Sequence, residues 1–364
     1  MILKCRCCAR IRVIGSKPMS RSGVRSISRS TRKPPMPDQP HQFAHPAPLP
    51  PMPAPEPTPP TPSRRVGFVA LVGKPNVGKS TLLNTLLGQK VAIVSPRPQT
   101  TRVPLRGILT RDDAQIIFID TPGIHTPDHE LGQFMVALAQ RTIPEADVVC
   151  FMVDVTIAPT RLDVEIAERV LQARVPHLLV INKVDLPPRP GQAHDANMQH
   201  VQAYRDLGPW DMELAVSALH GDGVPELLEQ IVARMPYGEP LYPDDWIVDQ
   251  SVQNLAAEMV REKILLFTQH EIPHSVAVEI DEWDERATGT YTRMTINVER
   301  DSQKGIIIGA QGAMLKRIGT AARKDIEELV ERTVFLDLWV KTRPNWRNDQ
   351  AALGWLGYRL KDWG

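Results

Sequence analysis

The sequence predicts two folded units in tandem, a mainly parallel α/β sheet domain and behind it a small α+β domain of element order αββααβ. Three observations carry this reading. From Val66 onward, short β-branched apolar runs (VGFVALVG, AQIIFIDTPG, ADVVCFMVDV, PHLLVINKVDL, ELAVSAL) alternate with amphipathic helical stretches, the pattern of a parallel sheet covered on both faces. A Pro-rich acidic connector, PYGEPLYPDD, closes that region. Beyond it lie a helical stretch at 252–270, strands at 275–281 and 291–299, helices on either side of GAQG, and a last strand at 334–341. A chain of 364 residues with 42% hydrophobic content can bury a core in each of two or three domains. No internal repeat interrupts the order. The boundaries expected are an extension at 1–62, a first domain at 63–237, a linker at 238–251, a second domain at 252–347 and a tail at 348–364.

The net charge of +1 conceals an asymmetry, because the first 33 residues carry ten Lys and Arg and no acid. The remainder holds 33 basic against 42 acidic residues, so a nucleic-acid surface must be local. Residues 34–62 contain fourteen prolines and almost no apolar periodicity. Neither stretch can repay its ordering entropy by burial, so 1–62 reads as disordered. A basic, acid-poor, Ser-rich start fits either a dispensable extension of a cytoplasmic bacterial protein, the preferred reading, or a mitochondrial transit peptide. Cys5, Cys7 and Cys8 lack a second ligand pair at metal spacing, and Cys150 falls in an apolar strand, which is the usage of a reducing compartment. No apolar run approaches the roughly 18 residues of a spanning helix, so the chain reads as soluble or peripherally attached to a membrane.

Four strings then fall in order: GKPNVGKS at 73–80, QTTR at 99–102, DTPG at 120–123 and NKVD at 182–185. The first fits G-x-x-x-x-G-K-[ST] between a strand and a helix, the context of a phosphate-binding loop. Gly73, Lys74, Pro75, Asn76, Val77 and Gly78 would form a tight backbone ring of N–H groups, with Thr81 in the helix behind. Lys79 would reach the β- and γ-phosphates and Ser80 would ligate Mg²⁺. Asp120, ending a strand, can hold Mg²⁺ through water, while Thr121 and Pro122 shape a turn that aims the Gly123 N–H at the γ-phosphate. Asp185 can accept from N1–H and N2–H₂ of guanine, which adenine cannot satisfy. Asn182 would brace that loop, the Lys183 stem would cover the base beside Val184, and Ser217 and Ala218 could offer an N–H to guanine O6. Lys79, Thr101 and Gly123 are the catalytic candidates.

Residues 304–324, KGIIIGAQGAMLKRIGTAARK, carry five basic residues and no acid in an otherwise acidic body. A glycine-flanked loop between helices lets a nucleic-acid backbone approach closely, with a helix N-terminus and cations behind it. Lys304, Gly309, Ala310, Gln311, Gly312, Lys316 and Arg317 are the RNA candidates, in the type II order of a KH domain. The apolar strip of Ile306, Ile307, Ile308, Met314, Leu315 and Ile318 reads as core. Neither Trp339 nor Trp346 is assigned to RNA.

The ordered strings resemble the small GTPases of the translation-factor-related class, and GxPNxGKS, QTTR and DTPG within it look like the Era family. YPDDWIVDQS, EMVREKI, LWVKTRPNW and LGY in the second half are similar to that family too, so the resemblance spans 66–358. It implies an α/β P-loop GTPase domain followed by a type II KH domain. Thr100 or Thr101, with Thr101 preferred, would contact Mg²⁺ and the γ-phosphate, and segments near 95–103 and 123–129 would move. It further implies a monomeric GTP/GDP switch that binds 16S-type ribosomal RNA during assembly of a 30S-type subunit. Peripheral association with the inner membrane is also implied, or a mitochondrial matrix location if the arm is a transit peptide. Asn76 resembles a residue that holds an activating K⁺ in related GTPases. Ile124 occupies the place of a water-orienting Gln, so intrinsic hydrolysis should be slow. An RNA-binding scaffold with negligible turnover is the alternative that Ile124 keeps open. A tRNA-modification GTPase shares DTPG but lacks GAQG.

Overall fold

The computed structural model describes residues 64–269 and 272–360. The expectations for the arm at 1–62 and its three cysteines lie outside them. The first domain runs β1 (Arg65–Val72), α1 (Lys79–Leu87), β2 (Leu105–Thr110), β3 (Ala114–Asp120), α2 (Glu130–Thr142), β4 (Val148–Asp154), α3 (Arg161–Leu171), β5 (His177–Asn182), α4 (Ala196–Arg205), β6 (Met212–Val216) and α5 (Val224–Arg234). Its sheet has the order β2-β3-β1-β4-β5-β6, parallel except for β2 against β3. β3 and β4 are buried at every position, as interior parallel strands with helices on both faces must be. Alternate residues feed two cores. Val69, Leu71, Phe118 and Met152 pack with Leu82 and Ile231 on one side, and Ala70, Val72, Phe151 and Ile181 with Ile166 and Tyr204 on the other.

The edge strand β2, LRGILT, was not among the expected strands. Its signal is weak because Arg106 is exposed and Gly107 replaces an inward side chain. A Cβ there would lie 2.6 Å from Leu83 Cδ1, so the glycine lets α1 sit close on the sheet. The Pro-rich connector lies along this edge. Ile108 N donates to Ile247 O at 2.8 Å, and the Gln115 amide takes both Leu241 N and Tyr242 N, at 2.7 and 2.9 Å.

The second domain runs α6 (Val252–Phe267), β7 (Ala277–Arg286), β8 (Gly289–Val298), α7 (Asp301–Ile308), α8 (Ala313–Val330) and β9 (Val334–Thr342), with sheet order β7-β8-β9 and β8 parallel to β9. This is the αββααβ order. Val260, Ile264, Ile296, Ile307, Ile318 and Ile326 form its core. α6 stops at Phe267, short of the expected 270, where Thr268 turns extended and its hydroxyl donates to Ile264 O at 2.7 Å. β7 runs on to Arg286, beyond the expected 281, as a polar hairpin in which Glu282 faces Arg293 and Asp284 faces Tyr291. The stretch is polar, with Glu282 paired to Arg293 at 3.6 Å across the strands, so apolar alternation does not reveal it. No helix among the described residues is long and apolar enough to cross a membrane.

The last residues, expected as a tail, fold back on the first domain as α9 (Gln350–Trp355). Trp346 and Leu353 pack with Leu131, Phe134, Met135 and Leu138 of α2. Tyr358 meets Phe134 edge-on at 5.8 Å, and Glu130 N donates to Asn348 Oδ1 at 3.2 Å. Trp346 is 1% exposed, and its indole N–H donates to Ser275 O at 2.9 Å. Trp346→Ala is expected to lower unfolding stability by about 3–5 kcal/mol, the cost of truncating a fully buried indole. Urea denaturation measures it, and a loss below about 1 kcal/mol would mean that this cluster carries little of the fold.

Candidate functional site

β1 ends at Val72 and α1 begins at Lys79, so 73–78 cross the carboxyl edge of the sheet, where parallel α/β folds bind ligands. Gly78, at φ 107°, leaves no room for a side chain, since a Cβ would lie 2.2 Å from Asn182 Nδ2. That amide instead donates to Val77 O at 2.7 Å, while Asn182 Oδ1 accepts from Ala218 N at 2.9 Å. One buried side chain thus ties the loop at 73–80 to both loops expected to hold guanine. Lys79 is buried, and its ammonium donates only to the carbonyls of Gly73 and Lys74, at 3.3 and 3.0 Å. Burial lowers its pKa to about 8 against an opposing pull from Asp120. A desolvated cation without a paired anion in contact is the arrangement that a phosphate completes. Lys74 points elsewhere, pairing at 2.6 Å with the buried Asp163 of α3.

Three hydroxyl and carboxylate oxygens meet beside this loop. Ser80 Oγ donates to Asp120 Oδ2 at 2.6 Å, Thr101 Oγ1 donates to the same oxygen at 3.1 Å, and the two hydroxyls are 3.0 Å apart. The Thr100 hydroxyl instead donates to Arg97 O at 2.8 Å. Asp120 Oδ1 is buried with no hydrogen-bond partner. Burial raises the Asp120 pKa, countered by Lys79, Ser80 and Thr101. Hard oxygen donors about 2.9 Å apart match neighbouring vertices of an octahedron with 2.0–2.1 Å bonds, so this set fits Mg²⁺.

The turn after β3 packs against the phosphate loop. Thr121 Oγ1 donates to Leu71 O at 2.7 Å, Pro122 is buried, and a Cβ on Gly123 would lie 2.6 Å from Pro75 N. Ile124 is 3% exposed and packs with Ala70 and Val72 in the core, away from the cavity. A cavity of about 590 Å³ opens over the loop, walled by residues that include Lys79, Ser80, Thr101, Gly123 and Lys183. Asp185, Ser217 and Ala218 stand outside that wall. Asp185 lies 3.7 Å from His220, Ser217 and Ala218 are buried, and Val184 is exposed with its N–H on Val216 O. Lys183 Nζ is held on Asp154 Oδ2 at 2.6 Å, a partner that sequence motifs did not suggest. Burial raises the Asp154 pKa, but bonds from Lys183 and Thr156 outweigh it and hold it low.

The segment at 94–102 is gripped by the second domain. Val94 N donates to Glu262 Oε1 at 3.1 Å, Arg97 to Thr268 O at 3.4 Å, and Arg102 to Val276 O at 2.6 Å and His274 O at 3.1 Å. The Arg261 guanidinium donates to Thr100 O. Asn76, also at positive φ, donates to Pro96 O at 3.0 Å.

In the second domain GAQG turns through Gly309 (φ 71°), Gln311 (φ 50°) and Gly312 (φ 79°), with Ala310 and Gln311 exposed. A groove of about 530 Å³ runs from this turn between α8 and β9, lined by Gly312, Lys316, Thr320 and Arg323 on one side and Leu336 and Leu338 on the other, with Tyr291 and Phe335 at its rim. Arg317 is turned away, over the Phe267 ring at 4.1 Å, and Lys304 sits half-buried on α7 outside the groove lining. Arg323, Tyr291 and Phe335 were not among the expected residues. Of the apolar strip, Ile307 and Ile318 are core, but Ile306 is 51% exposed, a correction to the expectation that the whole strip is core. Helix α7 has only one inward stripe, and Ile306 lies off it.

A phosphate loop closed around a buried lysine, with an oxygen trio beside it, on a mainly parallel sheet, defines a P-loop GTPase, here joined to a KH domain. The profile of the 50S ribosome-binding GTPase family matches residues 68–183 and that of the KH domain matches 271–347. The chain is 44% identical over 298 residues to GTPase Era of Ruminiclostridium cellulolyticum, covering 82% of this chain and 98% of that one. It is 46% identical over 302 residues to GTPase Era of Nostoc sp., covering 83% and 92%. Among solved structures, Era in complex with MgGDPNP and nucleotides 1506–1542 of 16S ribosomal RNA superposes with a TM-score of 0.77 at 41% identity, over 82% of this chain and all of that one. A point variant of Aquifex aeolicus Era bound to GDP and AlF₄⁻ gives 0.76 at 41%, over 81% and 100%. The chain belongs to the Era family of GTPases.

Proposed function

We propose that the protein is a GTP-hydrolysing switch that binds small-subunit ribosomal RNA through its KH domain and acts in assembly of that subunit. The observation that carries this is the presence on one chain of a Lys79-centred phosphate loop beside the Ser80, Thr101 and Asp120 oxygens and of a GAQG-ended groove carrying Lys316 and Arg323. The Era relative solved with MgGDPNP and a 16S fragment supports the same pairing of partners.

In this reading Gly73–Thr81 and the Gly123 N–H hold the phosphates, and Ser80, Thr101 and Asp120 hold Mg²⁺. An ion held by these three residues would supply charge neutralisation for the phosphates. Asn182, Lys183 and Asp185 hold guanine, backed by Ser217 and Ala218. Asp185, 3.7 Å from His220, is the carboxylate that accepts from guanine in this reading. Ile124 is buried and orients no water, so the unassisted rate is slow. Asn76 at the loop supports K⁺ stimulation, so hydrolysis is expected to run faster in KCl than in NaCl, and equal rates would remove K⁺ from the reading. The protein is placed in the cytoplasm with peripheral inner-membrane association, as the family resemblance implies, and cell fractionation checks that placement.

The test is GTP hydrolysis by the full chain with Mg²⁺, with and without an RNA carrying the 3′ end of 16S ribosomal RNA. Turnover that rises with RNA supports the coupled switch. Tight binding of both ligands with no turnover would favour a scaffold instead.

A further inference from the structure

α6 carries a buried charge that reaches into the first domain. Arg261 is 1% exposed, in a run of three buried charges, Arg261, Glu262 and Lys263, on a helix that also buries the apolar Val260 and Ile264. Its guanidinium donates to Glu258 at 2.8 Å on the same helix and to the Thr100 carbonyl of the first domain. Burial acts to lower its pKa, and Glu258, Tyr358 and Glu262 together more than offset that, so it stays a cation. A buried cation on a carbonyl makes a stronger bond than a neutral donor, and removing either partner leaves a desolvated group behind. Thr100 is the residue before Thr101, and the contacted carbonyl belongs to the peptide that joins them. That peptide sets where Thr101 Oγ1 lies, 3.0 Å from Ser80 Oγ and 3.1 Å from Asp120 Oδ2. Arg102, on the other side of Thr101 in sequence, is buried and anchored on the carbonyls of Val276 and His274. Thr101 is thus strung between two arginine contacts that cross between the domains, Arg261 reaching in from the second and Arg102 reaching out to it.

We infer that Arg261 is a positioning residue of the metal site, which holds the Thr100–Thr101 peptide from the KH domain so that the Thr101 hydroxyl closes on Ser80 and Asp120. This rests on the GTPase reading above. It makes the second domain a structural part of the nucleotide site. Arg261 touches neither nucleotide nor metal and acts through Thr101.

The test compares the full chain with Arg261→Met, Arg261→Lys and Glu258→Ala. Hydrogen exchange of the nucleotide-free chain is the readout that needs no activity. Arg261→Met is expected to speed exchange at 99–102 by about tenfold, as the segment opens locally. In hydrolysis assays it lowers kcat by about tenfold or more, the cost of a misplaced ligand, and raises the Mg²⁺ concentration for half-maximal rate. KM for GTP stays within about twofold, because the phosphate loop and the guanine loops are untouched. Arg261→Lys restores most of the rate, since an ammonium can reach the same carbonyl. Glu258→Ala, at a half-exposed helix position, gives a smaller loss in the same direction.

A folded Arg261→Met chain with wild-type exchange at 99–102 and wild-type Mg²⁺ dependence overturns the inference. So does a lowered melting temperature with kcat unchanged, which would make the contact structural only. If Arg261→Met does not fold, wild-type behaviour of Glu258→Ala overturns it equally. Failure of the GTPase reading shows separately, as an absence of turnover in the wild-type arm.

Discussion

Lys79→Ala is expected to leave the protein folded and to lower GTP turnover by about a thousandfold or more, since one charged phosphate contact in a desolvated site is worth two to three orders of magnitude. The two halves of that expectation have one cause. The Lys79 ammonium is buried against two carbonyls, and that burial lowers its pKa to about 8. Removing it relieves a desolvated cation, so the melting temperature of the nucleotide-free chain should hold or rise. Stabilisation by GTP should vanish, because the ligand's γ-phosphate loses the one side-chain cation buried beneath it. Thermal melts with and without GTP, beside a turnover assay, decide the matter. Wild-type turnover in the variant would mean that 73–80 is a structural turn.

Paired reversal of Lys316 and Arg323 to Glu is expected to weaken binding of the 16S 3′ segment by about a hundredfold or more at physiological salt, while leaving GTP affinity unchanged. Both side chains are exposed on α8 and line the groove below GAQG. Arg323 has only a 4.0 Å i,i+4 partner in Glu327, so the helix tolerates their loss. The plot of log affinity against log salt should flatten by about 1.4 units, the loss of two released counterions from a single strand. Replacing Gly309 is a less clean test, since a Cβ there would lie 2.7 Å from Met314 Cβ and distort the turn itself. Unchanged affinity and salt slope in the charge-reversed chain would move the RNA off this groove.

The parts of this molecule legible in its sequence are those whose chemistry is local. GKPNVGKS, DTPG and GAQG announce themselves because backbone turns against phosphate need particular residues at fixed offsets, and the apolar runs of β1, β3, β4 and β5 name buried strands. Thr101 could be preferred over Thr100 only through family resemblance, and the structure brings Thr101 to Ser80. What stayed hidden depends on partners far along the chain. Arg102 meets carbonyls 172 and 174 residues away, Arg261 one 161 away, and neither arginine differs locally from a solvated one. Charge alone does not tell Arg323 from Arg317, and only the packing of α8 on β9 shows that Arg323 lines the groove while Arg317 does not.

The return of α9 to α2 also bears on how the chain is made. Phe134, Met135 and Leu138 bury their apolar faces against Trp346 and Leu353, roughly 200 residues later. At about 5–20 residues per second of synthesis, that partner emerges about 10–40 s after α2 itself. Through that interval the newborn first domain presents an uncovered apolar helix face to its surroundings, and that face closes only once Trp346 and Leu353 have left the translating ribosome.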